Sequence, residues 1–228
     1  MMFALPELIE RYRMKITGVV HAGAHVGQEA EDYEACGIEQ VLWIDANPEM
    51  MPYLNERVYP LGHVTVCACI GARNGVEVDF HFSNSADGSN FGVSSSVLPL
   101  GTHAATHPEV RYIGERKMVT QTLAALVEAN WPWPGRPNFL NMDLQGYELE
   151  CLKGAEPILG WFDWIYTEVN EDELYAGCAL LPELSNWLAE RGFGLREKRL
   201  YGAQTRDAKN QKWFGWGDAF FVRERPAR

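Results

Sequence analysis

Short apolar runs separated by stretches of helical periodicity constrain this chain more than any other feature. "ITGVVHAG" reads as a buried strand ending at Gly23, residues 27–37 as a helix stopped by Gly37, and "QVLWIDA" as a second strand. Pro48 belongs near the start of the next helix, where a missing N–H costs least. "HVTVCACIG" reads as a third strand, and "VEVDFHF", after the Asn74–Gly75 turn signal, as a strand or one arm of a hairpin. Further along come a short helix marked by Leu123, Leu126 and Val127, the strand "NFLNMDL", a helix over "YELECLKGAEPILG", the strand "FDWIYTEVN" and a helix around 181–191. "FGLREKRL" and "GDAFFVRE" close the series, the latter entering as an antiparallel partner through a long turn at 201–217. Successive β-helix-β units require parallel pairing with right-handed crossovers. The expected architecture is therefore α/β: a mixed sheet of about seven mostly parallel strands, helices on both faces and an antiparallel terminal strand.

The 228 residues, 46% of them apolar, suffice for one substantial core, so the whole of 1–228 is expected to form a single domain. Leu5, Leu8, Ile9 and Tyr12 open it with an amphipathic helix. Residues 83–118, rich in Ser, Gly and His, show the weakest periodicity and are expected to be an irregular loop on the substrate side. A formal charge of -11 disfavours duplex DNA or an anionic membrane as the main partner. Five cysteines without a CxxC pair fit reduced thiols, and the N-terminal segment lacks the apolar core of a signal peptide. No run approaches the ~20 apolar residues that span a bilayer. A cytoplasmic location without membrane insertion is expected, and the oligomeric state is left open.

In "HAGAHVG", Gly23 lets the backbone turn close to a ligand and Gly27 permits close approach as the helix begins. The dinucleotide pattern G-x-G-x-x-G is not met: His25 stands at its second glycine and Gln28 at its third. A tightly packed pyrophosphate is disfavoured, which favours a cofactor without phosphate. Asp45, 22 residues after Gly23 at the end of the second strand, is placed to accept hydrogen bonds from a ribose diol, whether of NAD or of S-adenosylmethionine.

With these pieces in hand, the sequence resembles the FkbM-type branch of S-adenosylmethionine-dependent methyltransferases. The matching segments are "HAGAHVGQE" at 21–29, "IDANP" at 44–48, "ACIGARNG" at 68–75, "SSSVL" at 94–98, "TQTLAAL" at 120–126, "NMDLQGYELECLKGAE" at 141–156 and "YTEVN" at 166–170. The resemblance implies a Rossmann-like class I methyltransferase fold. It also implies that Gly23, His25 and Gly27 shape the cofactor turn, that Asp45 binds ribose, that Ala68 and Cys69 lie near adenine and that Asp143 stands beside the methionine end. The chain departs from the family pattern at His21 and His25, which replace an Asp and an Asn, and at Asp45, Ala124 and Asn141.

Asp143, Gln145, Glu168 and Asn170 fall at or just beyond two strand C-termini, where ligands bind in open α/β sheets. Asp143, Glu168 and Asn170 offer three oxygens to a hard cation such as Mg2+, which would stabilise a substrate alkoxide. Without a metal the chemistry needs a general base, for which His103 and His107 are candidates alongside Asp143. Trp131, Trp133, Trp213 and Trp216 are candidate apolar walls. The expected activity is O-methylation of a small hydroxylated substrate such as a sugar or glycoside. A noncatalytic cofactor-binding module, an NAD-dependent oxidoreductase and an RNA methyltransferase are the alternatives, with nucleic acid disfavoured by the charge.

Overall fold

The computed structural model describes residues 3–85, 87–88, 90–203 and 214–224. Its strands in chain order are β1 (Val19–Ala22), β2 (Val41–Asp45), β3 (Val64–Cys67), β4 (Cys69–Ile70), β5 (Glu77–Ser85), β6 (Val110–Gln121), β7 (Phe139–Met142), β8 (Trp164–Asn170), β9 (Phe193–Ala203) and β10 (Phe214–Arg223). Its helices are α1 (Leu5–Tyr12), α2 (Ala30–Ala35), α3 (Met51–Val58), α4 (His103–Thr106), α5 (Leu123–Asn130), α6 (Glu148–Ala155) and α7 (Leu181–Ala189).

The larger sheet has seven strands in the order β3-β2-β1-β7-β8-β10-β9. Pairing is parallel from β3 through β8, and β10 runs antiparallel to both β8 and β9. The central strands are apolar on both faces because both are covered, as all-parallel pairing demands. Val20, Ala22, Leu42, Ile44, Leu140 and Ile165 meet α5, α6 and α7 on one side. Val19, Val41, Trp43, Phe139 and Tyr166 meet α1, α2 and α3 on the other. The period-2 alternation of each strand thus feeds two cores. Among the described residues no helix is long and apolar enough to cross a membrane.

Four local expectations are corrected. The helix expected over 27–37 is confined to 30–35, because Gly27 at φ +72 closes a turn ahead of it and Gly37 at φ +70 ends it. The third strand breaks after Cys67: β3 stays in the main sheet, while β4 turns away to pair with β6. Residues 83–118 are not irregular throughout, since β5 reaches Ser85, α4 forms at His103 and β6 begins at Val110. β5 and β6 are antiparallel partners and, with β4, make a second, three-stranded sheet. Finally, Pro52 rather than Pro48 occupies the first turn of α3. Part of the expected turn at 201–217, with Trp213, lies outside the described residues.

Candidate active site

The chain's first crossovers carry it from β1 outward to β2 and β3, and β7 then returns to the other side of β1. The crevice between β1 and β7 is thus the topological switch point of the sheet, where open α/β proteins bind ligands. Gly23 leaves β1 there at φ +84, and a Cβ on it would lie 1.7 Å from the Asp143 carbonyl oxygen, so the two strand ends approach only because the residue is glycine. The Gly23 amide donates to the Ile44 carbonyl at 2.8 Å, and the Asp143 amide to the Ala22 carbonyl at 2.9 Å, which ties β1, β2 and β7 together at their C-terminal edge.

A cleft opens above these ends. Gly23, His25, Asp45, Cys69 and Asp143 line it from the sheet side. The segment Gly92–Val97 faces them across it, contributing Gly92, Val93, Ser95, Ser96 and Val97. Asp45 is fixed by its neighbours: Oδ2 accepts from the His25 amide and Oδ1 from the Asn47 amide, each at 2.7 Å. Burial raises its pKa, and those two amide bonds oppose the rise. The spare lone pairs of both oxygens remain for hydroxyl donors.

His25 adopts φ 46, which points its amide at Asp45, and its Nε2 donates to the Phe91 carbonyl at 2.8 Å. Gln28 supplies the complementary donor to Nδ1 at 2.9 Å, which sets this tautomer. His25 therefore joins the glycine turn to the segment facing it. Gly27 points elsewhere: a Cβ there would meet Leu54 and Val58 of α3, so its role is to let the turn pack on that helix. Ala68 is buried outside the cleft lining and holds the Asp45 carbonyl through its amide at 2.9 Å.

A second pocket shares Val93, Asp143 and Gln145 with the cleft and continues to Ser94, His103, His107, Glu168, Tyr175 and Trp216. Trp216 lines it, whereas Trp131 packs against the core and stacks edge-on with Trp133. Among the described residues lining the two pockets there is no Lys or Arg. Asp143 and Glu168 stand side by side, because the Met142↔Thr167 register of β7 and β8 makes them the next cross-strand neighbours. Glu148, at the start of α6, joins them, with ligand oxygens of all three within 4.8 Å of one another.

Three carboxyls this close cannot all ionise cheaply. Asp143 is open to the cleft yet sits on its floor, and desolvation there, with repulsion from Asp218 and Glu29, raises its pKa to about 6 against the lowering pull of Gln145. Glu148 is buried, accepts amides from Leu144 at 2.8 Å and Gly146 at 3.2 Å, and is pushed to about 7, mainly by burial. Burial and the nearby Asp143, Glu148 and Asp218 carboxylates hold the Glu168 pKa well above the usual carboxylate range. The Gln145 amide donates to both Asp143 and Glu168, the latter at 3.1 Å, while Tyr175 donates its hydroxyl to the Gln145 oxygen.

The imidazoles lie on the far wall. His103 is buried with its ring 5.1 Å from that of His107 and 5.5 Å from that of Tyr175, and burial, then His107, lowers its pKa to about 4. His107 is partly open and its Nδ1 lies 3.3 Å from Glu109. Asn170 is fully buried, with no hydrogen-bond partner for either amide atom among the described residues. Sequence reasoning missed Glu148 and Tyr175. Glu148 carried a signal, since its offset from Asp143 places it in the first turn of the following helix; Tyr175 carried none.

A parallel sheet in the order given above, with β10 reversed between β8 and β9 and helices on both faces, is the Rossmann-like class I methyltransferase fold. Residues 21–195 match the model of the methyltransferase FkbM domain, and the chain belongs to that family. The 2-O-methyltransferase NoeI of Sinorhizobium fredii (strain NBRC 101917 / NGR234) is 28% identical over 146 residues, 60% of this chain and 56% of that protein. The chain's match thus spans little more than half the length of that relative. Among solved structures, the magnesium protoporphyrin IX methyltransferase ChlM of Synechocystis PCC 6803 with bound S-adenosylmethionine is similar with a TM-score of 0.48 and 11% identity, over 96% of this chain and 76% of that one. The ribosomal protein L11 methylase of Lactobacillus delbrueckii subsp. bulgaricus gives 0.48 and 14%, over 95% and 75%.

Proposed function

We propose that the protein transfers the methyl group of S-adenosylmethionine to a hydroxyl of a small, uncharged, hydroxylated acceptor such as a sugar or glycoside. The observation that carries this reading is the meeting of two pockets at Asp143 and Gln145, with Asp45 in one and Glu168 and the histidines in the other. In this reading Gly23, His25, Asp45 and Cys69 hold the cofactor, with Asp45 on the ribose diol. S-adenosylmethionine bound there would supply an electrophilic methyl and leave as S-adenosylhomocysteine; the acceptor hydroxyl would lie in the second pocket, and Asp143 would take its proton. His103 and His107 border the acceptor.

The lack of Lys or Arg among the described residues lining both pockets speaks for a neutral acceptor over RNA, whose phosphates call for those side chains. The nicotinamide alternative is disfavoured by the missing glycines around His25 and Gln28. The five unpaired thiols support a reducing, cytoplasmic setting. Calorimetry with S-adenosylhomocysteine, NAD and a short RNA, followed by labelled methyl transfer to neutral glycosides, tests the reading. Micromolar binding of S-adenosylhomocysteine with transfer to a glycoside is the expected result, and binding of NAD in its place would sink the proposal. Cofactor binding without transfer to any hydroxylated acceptor would leave the noncatalytic module.

A second reading of the same corner gives Asp143, Glu148 and Glu168 to a divalent cation, because three oxygen donors converge and Asn170, two residues along β8 from Glu168, has an unpartnered amide. Mg2+ bound there would stabilise an acceptor alkoxide. Gln145, which already donates to two of the three carboxyls, makes this the weaker reading. A thermal midpoint unchanged by Mg2+ or by a chelator removes it.

A further inference from the structure

In the sequence Gln145 falls just beyond a strand end, where ligands bind; in the structure it stands in the wall common to both pockets. Its backbone is held at φ 53, in the left-handed region, which a residue with a Cβ occupies only where its surroundings over-determine it. Those surroundings are specific. Gly146 follows at φ +96 and presses so closely on the next loop that a Cβ there would lie 2.9 Å from the Cys178 Cβ and 3.0 Å from the Tyr175 Cβ. Ser96, from the segment across the cleft, donates its hydroxyl to the Gln145 carbonyl at 2.8 Å.

The side chain is fixed as firmly as the backbone. The Asp143 carboxylate only accepts hydrogen bonds, so the NH2 of the carboxamide faces it and the near oxygen of Glu168, and the carboxamide oxygen is left for the Tyr175 hydroxyl. No other side chain of this size brings two donors and an acceptor to one place. Alanine would leave the neighbouring Asp143 and Glu168 carboxyls with no shared donor to hold one against the other. A glutamate would add a fourth carboxyl to the cluster.

We propose that Gln145 is a positioning residue for methyl transfer: braced by Tyr175 and Ser96, its carboxamide fixes Asp143 against Glu168 so that a hydroxyl in the acceptor pocket meets the cofactor's methyl in line. The inference rests on the methyltransferase reading above. Its expected signature is a loss in the transfer step with little loss in binding, because a displacement of about an ångström at the reacting centre costs roughly 10²-fold in rate.

The test compares wild type, Gln145→Ala and Tyr175→Phe. It measures the affinity for S-adenosylhomocysteine by calorimetry, kcat and KM for the best glycoside acceptor, and the thermal midpoint. Gln145→Ala is expected to lower kcat by about 10²-fold, and Tyr175→Phe, which removes a single hydroxyl, by about tenfold. In both, KM and S-adenosylhomocysteine affinity stay within about threefold of wild type. A kcat within threefold of wild type in both variants overturns the proposal. So does a loss of kcat that runs parallel to lost cofactor affinity and a lowered thermal midpoint, since that is the mark of a merely structural residue. If Gln145→Ala does not fold, Tyr175→Phe decides alone. A wild-type protein that neither binds S-adenosylhomocysteine nor transfers methyl overturns the parent reading, an outcome distinct from any change confined to the variants.

Discussion

Single side chains at the strand ends carry most of what this site needs. Gly23 has no tolerance for a methyl group, because its Cβ would fall inside the Asp143 carbonyl and its φ is +84. Left-handed strain and overpacking together put the cost of Gly23→Ala at about 2–5 kcal/mol, read as a fall in the urea midpoint. Asp45→Ala removes the acceptor assigned to the ribose and leaves the His25 and Asn47 amides unpaired. A loss of roughly 10²-fold in S-adenosylhomocysteine affinity is expected by calorimetry. His21 offers a cleaner electrostatic test. It is buried, stacked on Trp43 with centroids 4.6 Å apart and bonded to the Tyr33 hydroxyl at 3.0 Å, and burial drops its pKa to about 4 although Glu29 pulls the other way. A histidine whose folded pKa lies below its unfolded value stabilises fully above pH 6.5 and loses that contribution as pH falls towards 4. The loss is on the order of 3 kcal/mol. Chemical denaturation of wild type and His21→Phe between pH 7 and 4 should show the wild type losing more; equal slopes would contradict the assignment.

At the scale of elements, what could be read in advance was whatever one strand or one helix decides by itself. The apolar runs around Val20, Leu42, Leu140 and Ile165 announced the central strands because burial on both faces leaves a continuous hydrophobic stretch. The Gly23 turn and Asp45 were legible for the same reason: each is a local feature at a strand end. The second sheet was not, because β6 is exposed without interruption from Ile113 to Lys117 and shows no single apolar face. Its partner β5 lies a long connection away, and such pairing is invisible to periodicity. The Asp143–Gln145–Glu168–Tyr175 cluster was only half legible, since Tyr175 reaches it through a loop whose path depends on the whole fold. That second sheet matters to the site. It anchors the segment Gly92–Val97, through the His81–Ser96 bridge and the Ser83 bonds to Asn90 and Ser94, above the cleft lined by Gly23, Asp45 and Asp143. With His25 holding Phe91 as well, amide hydrogen exchange across 92–97 is expected to slow when S-adenosylhomocysteine binds. Exchange unchanged there, with binding demonstrated in the same sample, would mean that the segment does not close on the ligand.

For the molecule as a whole, the acidic balance of -11 and the lack of Lys or Arg among the described residues lining the pockets point the same way. Affinity for a neutral acceptor is expected to change little between low and high salt, whereas binding to RNA would fall steeply. Ligand linkage gives a global measure of the cofactor site. At a hundredfold excess of S-adenosylhomocysteine over its dissociation constant the folded state gains about 2.7 kcal/mol, or roughly 5–10 °C in thermal midpoint for a chain of this size. Asp45→Ala should forfeit most of that gain at the same ligand concentration.

The reversal of β10 bears on how the chain is made. Because β10 lies between β8 and β9, the ribosome delivers β9 before the strand that joins it to the rest of the sheet exists. Until residues 214–223 emerge, β8 presents a bare hydrogen-bonding edge, and the Glu168 that borders the acceptor pocket waits beside it. A nascent protein of this kind completes the wall of the second pocket where Trp216 stands only with β10, and a stop ahead of residue 214 would release a sheet with a sticky side rather than a slightly shortened enzyme.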